Sequence, residues 1–248
     1  RIAQHTSKTE TARQQRVQQR NKAIFAAEER DGMVLAAKAR TAALLIILVW
    51  SAVDTQRYGW AHVVDLLQVG IFAVLGLLQI LCARHRIGEP GLKYLFIAVD
   101  CCLLAVVFTV PNPFNDFPTP PAVAMDSSLF TYFFLFLMQA TFSFRPSLVL
   151  WCGFWIVVAR TGMLMWFVSL PQVYTNLDPA NRTAEAALAA RADSNFLFLG
   201  FFATEMLACL TVTGGLAVVV WRSRKLVESR TVAERSRASL ARYFSPNV

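Results

Sequence analysis

Apolar stretches recur between residues 37 and 221, and the connections between them alternate in charge, which leaves few folds open to this chain. They run from about Ala37 to Gln56, Ala61 to Ala83, Tyr94 to Val110, Leu129 to Phe144, Ser147 to Val168 and Asn195 to Trp221. A hydrocarbon core takes about 20 helical residues to cross, so each reads as a span, the third and fourth needing flanking residues to complete it. Unpaired backbone groups have no water to bond in lipid, and such spans are therefore helices. At 56% hydrophobic and 16% charged, the chain has too little polar surface to cover a soluble globule. The expected fold is an all-α membrane protein of six transmembrane helices.

Charge placement sets the orientation, because Lys and Arg in short loops stay cytoplasmic. Of the 24 Lys and Arg residues, all but Arg57, Arg160, Arg182 and Arg191 fall in the amino-terminal arm, the second-to-third loop, the fourth-to-fifth turn or the tail. Both termini are expected in the cytoplasm. The net charge of +8 follows membrane logic and gives no reason to expect nucleic acid as a partner. Lys38 and Arg40 are expected to snorkel to the surface at the start of the first span. No secretory signal pattern precedes them.

The outer connections differ from the tight inner ones. The stretch 111–128 holds Pro111, Pro113, Pro118, Pro120 and Pro121 and no cation, so helix is not expected there. In the next outer connection Asp178-Pro179 precedes an alanine-rich run, Thr183 to Ala192, expected to form a short surface helix capped by the aspartate. Cys82, Cys101, Cys102, Cys152 and Cys209 lie in or beside apolar segments without metal-ligand spacing, and read as buried thiols.

Ionisable residues inside spans are costly and face the bundle interior, which makes them the first functional candidates. They are His62 and Asp65 in the second span, Asp100 in the third, Arg160 in the fifth and Glu205 in the sixth, with Gln68, Gln79 and Gln139 as polar neighbours. At 1.5 Å per residue, Arg160 and Glu205 differ by about 5 Å in depth, which their side chains bridge. Arg160 is expected to pair with Glu205, with Asp65 as second choice, the pair serving either to fix helix register or to line a ligand cavity or switch. Axial haem ligation needs paired histidines, and only His62 lies inside a span, so no haem is expected. The aromatic residues of the fourth and fifth spans are accounted for by lipid-facing and interfacial positions; a lipid-like or quinone-like ligand in the outer half is the alternative.

Beyond Trp221 the cluster Arg222-Ser223-Arg224-Lys225 stops transfer, and the segment to Arg242 lacks Gly and Pro. Val219, Leu226, Ala233 and Leu240 recur every seventh residue, forming one seam of a weak parallel coiled coil. A transmitting stalk with two packings close in energy and a solvated basic helix touching anionic lipid both fit these residues.

The junction Glu234-Arg235-Ser236-Arg237-Ala238-Ser239-Leu240-Ala241-Arg242-Tyr243-Phe244-Ser245-Pro246-Asn247-Val248 resembles the start of a bacterial class III adenylate cyclase domain, where a stalk helix runs into L-x-R-Y-F-S-P. The resemblance implies a cytoplasmic amphipathic basic helical arm at 1–36, a six-helix membrane domain at 37–221, a coiled-coil stalk at 222–242 and the start of a truncated catalytic domain at 243–248. It also implies a homodimer in a bacterial inner membrane, in contact with lipids, whose output is cyclic AMP and diphosphate made from ATP. The Mg or Mn ions and catalytic residues of such an enzyme are expected outside this chain, which itself carries no cofactor. The rival readings are a six-span sensor of another output, a small transporter, and a passive anchor that only enforces dimerisation.

Overall fold

The computed structural model describes residues 31–53 with gaps, 61–85, 91–110, 120–125, 127–178, 183–190 and 193–244. The arm before residue 31, the side chains of His62, Asp65, Ala233 and Leu240, most of the proline-rich loop and residues 245–248 lie outside the described residues, as do the expectations placed on them.

Wherever it is described, the segment 31–53 is helical, and we call it the leading helix. It is followed by α1 (Ala61–His85), α2 (Leu92–Thr109), α3 (Pro121–Ala124), α4 (Ser127–Thr141), α5 (Pro146–Val168), α6 (Ala184–Ala190) and α7 (Leu199–Phe244). The one sheet among the described residues is a two-residue parallel pairing of β1 (Tyr174–Thr175) with β2 (Phe196–Leu197). Among the described residues three helices are long and apolar enough to cross a membrane: α2, α5 and the Leu199–Val227 part of α7. Within α1 and α4 lie two shorter apolar helices, Leu66–Cys82 and Phe130–Thr141. The chain is thus all-α with the helix pattern of a multi-pass membrane protein.

Helix α5 is the centre, packed against α2, α4 and α7, while α1 lies against α2. Its buried side, including Leu148, Val149, Cys152, Ile156, Ala159, Arg160 and Met163, follows the three-and-four spacing of one helix face. The opposite rows of the bundle expose Leu67, Val74, Leu150, Phe154, Leu207 and Leu210. Large apolar side chains pointing outward in this number suit a lipid solvent rather than water.

Small residues set the closest crossings. A Cβ at Gly153 would stand 2.4 Å from Thr213 Cγ2, so α5 and α7 approach at a point only glycine allows. Likewise a Cβ at Gly76 of α1 would meet Thr41 Oγ1 of the leading helix at 2.7 Å. Cys101, Cys152 and Cys209, one from each long apolar helix, are fully buried, and all five cysteines are free thiols.

Three corrections concern the connections. The proline-rich stretch does hold helix: α3 begins at Pro121, where a fixed φ suits the first helical turn, and Ala122 N–H donates to Ser194 O. Phe196 and Leu197 do not open the last span. They form β2, and α7 starts only at Leu199, whose N–H donates to Asn176 Oδ1 at 3.0 Å. The surface helix α6 lies within the alanine run and takes Thr183 Oγ1, not Asp178, as its cap, accepting from Ala186 N–H at 3.2 Å. Asp178 instead accepts the Thr175 N–H at 2.6 Å.

The α4–α5 turn closes in the left-handed region at Phe144, with φ of 52°. Phe142, Ser143 and Phe144 donate back to Gln139, Ala140 and Thr141, and Arg145 is extended ahead of Pro146, as proline requires.

Candidate functional site

The bundle has two ends: a turn end carrying the α4–α5 turn, and a cap end carrying the β1–β2 pair. A buried ion pair lies toward each.

Toward the cap end, Arg160 of α5 is completely buried. Its Nη2 donates to Glu205 Oε2 of α7 at 2.5 Å and to the Met125 carbonyl at 3.2 Å. The guanidinium carbon stands 5.3 Å from the centre of the Phe130 ring, a cation–π placement. Its Nε and Nη1 have no partner among the described residues. Nη2 holds Glu205 while the Phe130 ring occupies one face of the guanidinium, so α4, α5 and α7 are joined at one charge. Glu205 also lines a cavity of about 320 Å³ together with Met125, Leu164, Phe201 and Phe202.

Toward the turn end, Arg40 of the leading helix forms a two-pronged ion pair with Asp100 of α2, its Nη2 donating to Oδ1 at 2.7 Å and its Nη1 to Oδ2. Its guanidinium carbon lies 5.3 Å from the Phe136 ring centre and 5.8 Å from that of Phe72. Asp100 is buried and the Arg40 side chain is only 9% exposed, so Arg40 does not snorkel. A bidentate carboxylate inside the bundle outweighs the reach to the surface, since leaving Asp100 unpaired in lipid would cost more. Lys38, two residues earlier, is exposed.

Gln139 lies on the same side of the bundle as this second pair, its Nε2 donating to Gln79 Oε1 at 3.3 Å. The structure thus brings Arg160 to Glu205 and gives Asp100 a partner that charge counting alone had not supplied. The small residues Ala36, Ala37 and Thr41 near it in the leading helix are all buried against the bundle. Among the stalk residues, α7 carries the backbone of Leu226, Ala233 and Leu240 in one continuous helix, and the Leu226 side chain is exposed.

The cap end is tied by side chains outside the spans. Tyr174 O–H donates to Asp193 Oδ2 at 2.8 Å, and Asn195 N–H donates to Asp193 Oδ1 at 2.8 Å. The Asn195 amide and then the tyrosine hydroxyl hold the Asp193 carboxyl below its ordinary value. The same bond to Asp193 pushes the Tyr174 hydroxyl above its own. Among the described residues no three His, Cys, Asp or Glu side chains gather as a metal site would require.

Chemically, the arrangement offers two charge pairs that join helices and one apolar cavity walled in part by a carboxylate. No family model, curated protein or solved structure matches the chain.

Proposed function

We propose that this chain is the six-helix membrane anchor and regulatory region of a bacterial class III adenylate cyclase, with both termini cytoplasmic and two copies in the working assembly. The observation that carries the reading is the continuity of α7. One helix runs from Leu199 through Phe244, so the Glu205 that pairs with Arg160 and the Leu240-Ala241-Arg242-Tyr243-Phe244 residues of the cyclase-like junction share a single rigid element. At 1.5 Å per residue, the 46 residues of α7 span about 69 Å, enough to cross a bilayer and project beyond it.

The leading helix, α1 and α4 complete six crossings with the three long helices. The charge alternation supports this count, placing the α4–α5 turn and the basic residues after Trp221 on the same side. Dimerisation is supported by the unequal packing of the long helices: 28% of the apolar window of α7 is buried, against 44% for α5. Leu207, Leu210, Val218 and Val219 of α7 are exposed, a face available to a second copy. In the proposed mechanism a stimulus favours one packing of α7 against α5, and the stalk carries that difference to paired catalytic domains.

The test is cyclic AMP formation from ATP by the natural gene product, read in membranes with Mg or Mn supplied. Formation supports the reading; a natural product that makes none in either metal overturns it.

A further inference from the structure

We infer that the cavity at the cap end is a binding site for a neutral amphiphile headed by a hydroxyl group, which donates to Glu205. Phe198, just ahead of α7, and Phe201 and Phe202 in its first turn line, with Met125 and Leu164, a cavity of about 320 Å³, within the range of small-ligand pockets. Phe198 and Phe201 meet edge to face, their centres 5.2 Å apart. Such walls accept an alkyl chain or a ring. The polar side chain of the lining is that of Glu205, and it selects the head group.

The Glu205 carboxylate is held in place by Arg160 Nη2 at 2.5 Å, so the two charges already balance. An anionic head would put a second negative charge against one guanidinium in a medium of low dielectric. An ammonium head would compete with Arg160 for the same carboxylate and leave the buried guanidinium unpaired, which is costly. A hydroxyl does neither, because it donates one hydrogen bond to the carboxylate and keeps lone pairs to offer. A phenol-type head, as in a hydroquinone, and an aliphatic alcohol share this chemistry.

Because Glu205 belongs to α7, an occupant there touches the helix that reaches Phe244. That consequence for output rests on the function proposed above; the binding itself does not.

The whole protein in nanodiscs of saturated phosphatidylcholine is labelled with a ten-carbon alcohol bearing a diazirine, and the modified residues are mapped by mass spectrometry. Competition is measured with decanol, 4-nonylphenol, decanoate and decylammonium. Labelling is expected to concentrate on Met125 and the 196–202 segment, and the hydroxyl probes are expected to compete about tenfold better than the charged ones, a difference of about 1.4 kcal/mol. Decanol outcompeting nonylphenol assigns an aliphatic head, and the reverse a phenolic one. Leu164→Trp, and separately Ala122→Phe, fill the cavity without touching the ion pair; either one, eluting as wild type does, is expected to abolish the labelling. Labelling spread evenly over the lipid-facing helices, stronger competition by decanoate or decylammonium, or labelling that survives both fillings would overturn the assignment. None of these readouts uses cyclic AMP, so failure here leaves the proposed output standing, and failure of that output leaves the site.

Discussion

Arg160 Nη2 and Glu205 Oε2 meet at 2.5 Å across the α5–α7 interface, with no part of Arg160 reaching the surface. Removing one member leaves the other charged and buried, which costs about 3–5 kcal/mol, whereas removing both leaves only a packing change. Arg160→Met and Glu205→Leu are each expected to lower thermal stability in detergent by that order, and the double variant by much less. A double-mutant cycle on the melting data checks this. Strictly additive losses would mean that the two side chains do not depend on each other.

Arg40 grips Asp100 with two nitrogens, a geometry that lysine lacks. Arg40→Lys is expected to forfeit one charge-assisted bond, about 1.5–3 kcal/mol, and to loosen the leading helix from α1 and α2. Hydrogen exchange across residues 34–46 checks it, with faster exchange expected there and little change in α5.

At the α5–α7 crossing, Gly153→Val drives a side chain into Thr213 and is expected to cost about 1–3 kcal/mol by overpacking. Nothing lies within 4 Å of a Cβ at Gly162, so Gly162→Ala on the same helix is expected to be neutral or slightly stabilising. Melting temperatures of the two variants side by side are the check.

Phe144 sits at φ 52° although it is not a glycine. Phe144→Gly is expected to relieve about 1 kcal/mol of backbone strain and raise the melting temperature, since the ring is exposed and little packing is lost.

Tyr174 and Asp193 give the cap end a defined pH window. A carboxyl held below its unfolded value adds stability that is present above that value and fades as pH falls through the lower, folded one, so Asp193 acts on the acid side below 3.8. A phenol held above its unfolded value adds stability that is present below 10.0 and is lost as pH rises through the higher, folded one. Tyrosinate absorbance in wild type minus Tyr174→Phe is expected to show one group titrating above 10.0, and Asp193→Asn to bring it back toward that value.

The helices were legible in the sequence because lipid forces apolar runs into helix, and no competing structure satisfies their backbones. Arg160 and Glu205 were legible as a pair because depth follows from a fixed rise per residue. Arg40 was not, since a cation near a span end fits snorkelling and inward pairing equally well. Only the packing of Ala36, Ala37 and Thr41 against the bundle decides between them. Phe196 and Leu197 read as the apolar start of a span because their pairing partners, Tyr174 and Thr175, lie about twenty residues away, beyond the reach of local pattern. A ligand cavity at the Arg160–Glu205 pair was one reading of the sequence, but its walls were not legible for the same reason: they come from α3, α5, β2 and the start of α7, which only the fold assembles.

The most direct test of the whole account inserts residues into α7 after Ser229 in the natural gene product and follows cyclic AMP formation. One added alanine turns everything beyond it by about 100°, while seven restore the seam of Leu226, Ala233 and Leu240 to within about 20°. A transmitting stalk predicts that output changes with one residue and returns with seven. Output that ignores the insertions, or declines smoothly with their length, would contradict it.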